Sequence, residues 1–188
     1  MRSQSASQPA FERRDWTYDD YLRLDDDTRY EIIEGVLEVV PAPDIDHQRI
    51  ARKLSQAIIT YVEQHALGEA FFAPVDVKLS DRNVVQPDLI FVSRERSAIL
   101  GRDVQGPPDL AVEIISPSST NRDRVVKRRL YERFGVREYW LADPVVQSID
   151  VFVLGDRGYQ LLATAAGTGA IHSSVLPGFS IDVAQAFP

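Results

Sequence analysis

What most constrains the fold of this chain is a carboxylate set within each of two otherwise apolar runs. In Val84-Val85-Gln86-Pro87-Asp88-Leu89-Ile90-Phe91-Val92 the acid is Asp88, and in Leu110-Ala111-Val112-Glu113-Ile114-Ile115 it is Glu113. Short runs of this kind read as strands, and one that is apolar on both faces reads as a central strand. Side chains alternate along a strand, so Asp88 shares its face with Ile90 and Val92, and Glu113 shares its face with Ala111 and Ile115. A carboxylate buried there costs on the order of several kcal/mol unless donors or a cation compensate. A private arginine or a backbone cap accounts for either acid alone. Two on neighbouring strands call for a shared partner, and Mg²⁺ or Mn²⁺ is one, since such a cation takes one or two carboxylates together with water and phosphate oxygens.

Other elements follow from periodicity and punctuation. Thr17 with Asp20 has the spacing of a helix cap, and Tyr18, Tyr21 and Leu22 follow at helical intervals. Tyr30 to Ile33 and Val36 to Val40 form an N-terminal hairpin turned at Glu34-Gly35. From Asp46, the residues Ile50, Leu54, Ala57, Ile58, Tyr61 and Val62 mark one face of a long helix that ends near Gly68. Phe71 to Leu79 and Val84 to Val92 read as a second hairpin about Ser80 to Asn83, and 93–108 as connection. A turn at Ser116-Pro117-Ser118-Ser119 leads into a second helix, with Val126, Leu130 and Phe134 inward and Gly135 as its stop. The strand Glu138 to Ala142, a hairpin of Gln147 to Leu154 with Tyr159 to Ala163, and a closing segment Ser174 to Ile181 complete an α/β chain with a mixed sheet and two main helices. Residues 1–14, rich in Ser and Gln, are expected to be a disordered tail, and 15–188 one domain.

Composition narrows the chemistry. The chain has no cysteine, so any metal must be held by oxygen or imidazole. No signal-like or membrane-length apolar run occurs, and the expectation is a cytoplasmic protein without a membrane partner. A net charge of -7 argues against nonspecific coating of nucleic acid. A local exception is 122–133, with Arg122, Arg124, Lys127, Arg128, Arg129 and Arg133 against Asp123 and Glu132. A solvated helix face and a nucleic-acid contact are both open readings of that strip.

Asp123, Lys127 and Tyr131 are successive i,i+4 neighbours and form a polar stripe beside the apolar row of the second helix. Lys127 can thereby reach a metal site to orient water or steady a phosphate, or it simply pairs with Asp123. His47 extends the buried face of the first long helix, where histidine more often packs or caps than ligates. Glu31 and Glu34, three apart on a strand and turn, point to opposite faces, so at most one faces the site.

Taken together, these residues resemble a known family. Pro87-Asp88 with Leu89 to Val92, Pro108-Asp109 through Glu113 to Ser119, Tyr30-Glu31, Glu34-Gly35, His47-Gln48, Asp123, Lys127, Tyr131 and Gly135-Val136-Arg137-Glu138-Tyr139-Trp140 stand in the order of the Uma-type endonucleases, a bacterial family of restriction-endonuclease-like proteins. The resemblance implies a PD-(D/E)XK fold, with Pro87-Asp88 as the first half-motif and Glu113 as the acid of the second. It also implies a Mg²⁺-dependent (or Mn²⁺-dependent) DNA endonuclease, DNA being favoured over RNA, with a homodimer compatible with cutting both strands. In that reading Asp88 and Glu113 hold the metal, a carbonyl of Ile114 or Ile115 completes its shell, and Glu31, Glu34, His47, Asp123 and Tyr131 take secondary parts. Ile115 stands where the superfamily has its lysine, so Lys127 is expected to substitute, with Lys78 as the weaker candidate. The alternatives are a nuclease-fold module that binds nucleic acid or protein without cutting and, last, a two-carboxylate glycosidase.

Overall fold

The computed structural model describes residues 15–116 and 119–188; the expected tail 1–14 and the Pro117-Ser118 pair of the expected turn lie outside the described residues. The first helix, α1 (Tyr18–Tyr21), starts at the predicted cap, Thr17 and Asp20 satisfying each other's backbone N–H groups. The predicted hairpin forms as β1 (Tyr30–Ile33) and β2 (Val36–Val39). The long helix, α2 (Ile45–Gln64), is capped by Asp44, which accepts from the His47 N–H at 2.8 Å. Its apolar row Ile50, Leu54, Ile58 and Val62 is buried, as the spacing predicts.

The predicted hairpin of 71–79 with 84–92 needs correction. Its turn forms, joining β4 (Val77–Ser80) to β5 (Asn83–Val85), but each run is cut in two. The front of the first run belongs to β3 (Gly68–Phe72), and the rear of the second is β6 (Leu89–Ser93); these pair with each other in a different sheet. Pro74 and Pro87 explain the cuts, because a proline in the middle of a ladder removes a donor. The chain therefore crosses between sheets twice, and Asp88 stands at the return crossing.

After a 3-10 turn (Arg94–Ile99) come β7 (Val104–Gln105), β8 (Leu110–Ile114), a helical segment, β9 (Glu138–Asp143), β10 (Ser148–Gly155), β11 (Gly158–Ala166), β12 (Ala170–His172), β13 (Ser180–Asp182) and α4 (Val183–Ala186). One sheet has the order β2-β1-β5-β4-β7 and the other β11-β10-β9-β8-β6-β3, with β12-β13 a separate pair. Strands β8 and β9 are parallel neighbours joined through the helical segment, while β10 and β11 form the predicted hairpin. The result is a mixed α+β architecture of mixed sheets flanked by helices.

Alternation along β6 and β8 decides which layer meets which face. Leu89, Phe91, Leu110, Val112 and Ile114 pack with α2 and the C-terminal segment. Ile90, Val92, Ala111 and Ile115 point the other way, onto Leu130 and Tyr131 and onto Ile33, Val77 and Val85 of the first sheet. Glu113 shares that second face, between the two sheets.

The helical segment departs from the expected pattern. Arg122–Lys127 is π-helical and passes directly into α3 (Arg128–Phe134), which stops at Gly135 in the left-handed region. The wider turn rotates the predicted inward row: Val126 is 36% exposed and Phe134 half-buried, whereas Asp123, Lys127, Leu130 and Tyr131 are buried. The polar stripe faces inward together with Leu130, and of the expected apolar row Val126 is the one turned out.

Candidate active site

The inward stripe meets carboxylates from both sheets. Glu31 on β1 is buried, its Oε1 accepting the Gln86 N–H at 2.8 Å. Lys127 Nζ lies 2.8 Å from that same Glu31 Oε1 and 2.9 Å from Glu113 Oε1. Tyr131 donates its hydroxyl to Glu113 Oε1 at 2.6 Å, and the Tyr139 hydroxyl donates to the Asp123 carbonyl at 3.1 Å, both between buried groups. One ammonium thus bridges a carboxylate of the five-stranded sheet and one of the six-stranded sheet. The sequence also allowed a simple Asp123–Lys127 pair, but the close partners of the amine are the two glutamates.

Asp88 occupies the mouth of this arrangement. Its Oδ2 accepts the Ile114 N–H of β8 at 2.7 Å and lies 3.2 Å from His47 Nε2. A cavity of about 380 Å³ opens here, lined among others by Glu31, His47, Asp88, Glu113, Asp123 and Lys127. Ile114 also lines it, while the Ile115 side chain packs in the core behind.

Other candidates lie elsewhere. Glu34 is exposed at its turn and pairs with Arg133, so of the two hairpin glutamates only Glu31 reaches the cavity. Lys78 pairs with Asp81 at 2.8 Å and lies over the Tyr18 ring, remote from the cavity lining. Arg122, which the sequence marks only as part of a basic strip, turns into the cavity, its Nη1 3.8 Å from Glu31 and 3.5 Å from Glu38. The rest of that strip is largely satisfied within the chain: Arg124 pairs with Asp143, Arg133 with Glu34, and Arg128 covers the Phe152 ring.

The electrostatics are those of a crowded acidic site. Burial alone would push the Lys127 amine down, but Glu113, Glu31 and Asp123 hold it well above the ordinary lysine value. Burial pushes Glu113 well up, Lys127 opposes this, and Asp123, Asp88 and Glu31 reinforce it. Asp123 is raised for the same first reason, burial, against the pull of Lys127. His47 is raised as well: burial works against its charge, and Asp88 overcomes that. Five carboxylates, Glu31, Asp44, Asp88, Glu113 and Asp123, line the cavity against the permanent cations Arg29, Arg122 and Lys127. Glu31 Oε2 and Asp123 Oδ1 are buried without a hydrogen-bond partner. Among the described residues no three acid or histidine side chains converge as a ready metal cage. A hard divalent cation in this cavity would therefore have to take most of its oxygens from outside the protein.

Comparison with known proteins identifies the family. Residues 18–184 match the Uma2 family, described as "Putative restriction endonuclease". The chain belongs to the Uma2 family. This Uma2 chain superposes on the crystal structure of a putative nuclease belonging to DUF820 from Anabaena variabilis, with a TM-score of 0.75 over 91% of this chain and 97% of the other, at 20% identity. The likeness is one of fold. A UPF0284 protein of Metallosphaera sedula is 35% identical over 72 residues, spanning 34% of this chain but only 21% of that relative's length. Membership of the family supports a nuclease-like function for the Uma2 chain. No described helix of it is long and apolar enough to cross a membrane.

Proposed function

We propose that this chain is a Mg²⁺- or Mn²⁺-dependent endonuclease that hydrolyses phosphodiester bonds of DNA, with Asp88 and Glu113 holding the cation. The observation that carries this reading is that Asp88, Glu113 and Lys127, distant in sequence, line one cavity with surplus negative charge. When bound, the cation would polarise a phosphoryl oxygen and offset charge developing on the phosphate. Of the two backbone carbonyls the sequence offered, that of Ile114, which lines the cavity beside Glu113, is the one that would complete the cation's shell.

Lys127 takes the place of the lysine that the superfamily carries where this chain has Ile115. An ammonium has three donors, and two are directed at Glu31 and Glu113, which leaves one to orient a water or a phosphate oxygen. Held charged by its carboxylates, it acts as a fixed donor and not as a base. Tyr131 fixes the second acid from behind, and His47 and the Ile114 N–H fix the first. Cutting both strands of a duplex would be served by a homodimer presenting two such cavities. Ile115 is also what favours a second reading, a nuclease-fold module that binds nucleic acid or protein without turnover.

The deciding experiment incubates plasmid and single-stranded DNA with the purified chain, with Mg²⁺, with Mn²⁺ or with EDTA. Asp88→Ala and Lys127→Ala are run in parallel. Metal-dependent fragments that vanish in Asp88→Ala support the nuclease. Identical fragments from wild type and Asp88→Ala sink it, and cleavage that survives Lys127→Ala removes only the role given to the amine.

A further inference from the structure

Beside the cavity that contains Asp88 lies a second hollow of about 430 Å³, and His47, Gln48, Ala73 and Asp88 line both. Its origin is local. Phe72 ends β3 opposite Leu89, which puts its ring on the face covered by α2. There α2 lines the hollow with Ala51, Ser55 and Ile59 among longer polar residues, and Phe72 stays 62% exposed. The next residue, Ala73, donates its N–H to the Asp88 carbonyl at 3.0 Å, which fixes this aromatic surface against the backbone of the acid. The hollow is therefore an apolar, partly aromatic extension of the candidate active site. Its rim carries amide and guanidinium groups from Gln48, Gln56 and Arg52.

We infer that this hollow receives the base of an unpaired nucleotide whose phosphate is presented to the adjoining cavity. The inference rests on the nuclease reading above and deepens it by naming the form of the substrate. A base sits one sugar away from its phosphate, and Asp88 lines both the hollow and the adjoining cavity. Phe72 supplies a stacking face, and Gln48 and Gln56 supply donors and acceptors for the edge of a base. Arg52 supplies positive charge for a neighbouring phosphate in a molecule that is otherwise acidic. A base inside a duplex has both faces stacked and its pairing edge occupied, so only a single-stranded, frayed or extruded nucleotide can enter.

The test is binding, measured by fluorescence anisotropy with the full chain in EDTA, so that metal-dependent cleavage does not interfere. The probes are a short labelled single strand, its blunt duplex, and a fully abasic strand of equal length. Wild type is expected to prefer the intact single strand to the duplex. Phe72→Ala is expected to weaken the intact strand about tenfold, the loss of one stacked base, and the abasic strand hardly at all. Phe72→Trp is expected to restore the preference. Circular dichroism of each variant checks folding, which an exposed side chain should leave intact. The inference is overturned if Phe72→Ala leaves the intact strand unaffected, or weakens intact and abasic strands equally. It is also overturned if sedimentation shows that Phe72→Ala dissociates a dimer, which would make a second copy the occupant. Wild type that cuts duplex with Mg²⁺ yet shows no base-dependent effect at Phe72 removes this inference alone. Wild type that binds neither DNA form in EDTA overturns this inference, and only if it also fails to cut with Mg²⁺ or Mn²⁺ does the nuclease reading fall with it.

Discussion

Lys127 is buried at 3% exposure with two carboxylates in direct contact, so its removal leaves acids uncompensated in the interior. Lys127→Ala should lower stability by roughly 3–5 kcal/mol in chemical denaturation, the range for breaking one side of a buried pair. Lys127→Ala combined with Glu31→Gln should recover part of that loss, and a double variant as unstable as the single one would contradict the bridging role. At this scale the sequence was informative wherever a polar group interrupted an apolar pattern: Asp88, Glu113 and the Asp123-Lys127-Tyr131 stripe all stood out that way. Glu31 could be narrowed only to one of two hairpin glutamates. Arg122 was hidden, because nothing in its neighbours announces the π-helical turn that directs it into the cavity.

Among the elements, the edge strand β3 is held to β6 through a glycine. A Cβ at Gly68 would lie 2.1 Å from the Val92 carbonyl oxygen, at a φ of +153°. Gly68→Ala should cost about 1–3 kcal/mol in backbone strain alone, before the steric clash, and a thermal midpoint equal to wild type would refute the contact. Asp109 ties three segments together, accepting from the Ser93 N–H at 2.8 Å and from Arg96 and Arg137 at 3.1 Å each. Burial raises its pKa, but those donors prevail and hold it below the ordinary aspartate value. An acid with a depressed folded-state pKa stabilises the fold above its unfolded pKa, about 3.9, and that contribution is lost as pH falls through the folded value. Asp109→Asn should therefore flatten the acid limb of a stability-pH curve below about pH 4; an unchanged limb would mean the acid titrates alike in both states. The strand boundaries themselves were only partly legible. Hydrophobic pattern locates apolar runs, yet Pro74 and Pro87 decide where those runs cease to be strands and which sheet each half joins.

For the whole molecule, the net charge of -7 and the internal pairing of Arg122, Arg124 and Arg133 leave little positive surface for a long backbone. The sequence allowed the strip at 122–133 to be a nucleic-acid contact; the acids that neutralise it come from distant strands and could not be seen by reading along the chain. DNA binding should accordingly rest on few phosphates, with a slope of log K against log salt no steeper than about -3. A slope near that of a protein with many phosphate contacts would show that the pairing of these arginines does not limit the contact.

The ammonium shared by Glu31 and Glu113 also bears on how such chains diversify. Because it rivets one sheet to the other, selection for folding alone would retain this lysine whether or not a member of the family cuts. Asp88, whose carboxylate meets only a neighbouring strand and α2, carries no such duty. On the proposed nuclease reading, its loss, rather than that of the lysine, is the mark by which retired relatives would be recognised.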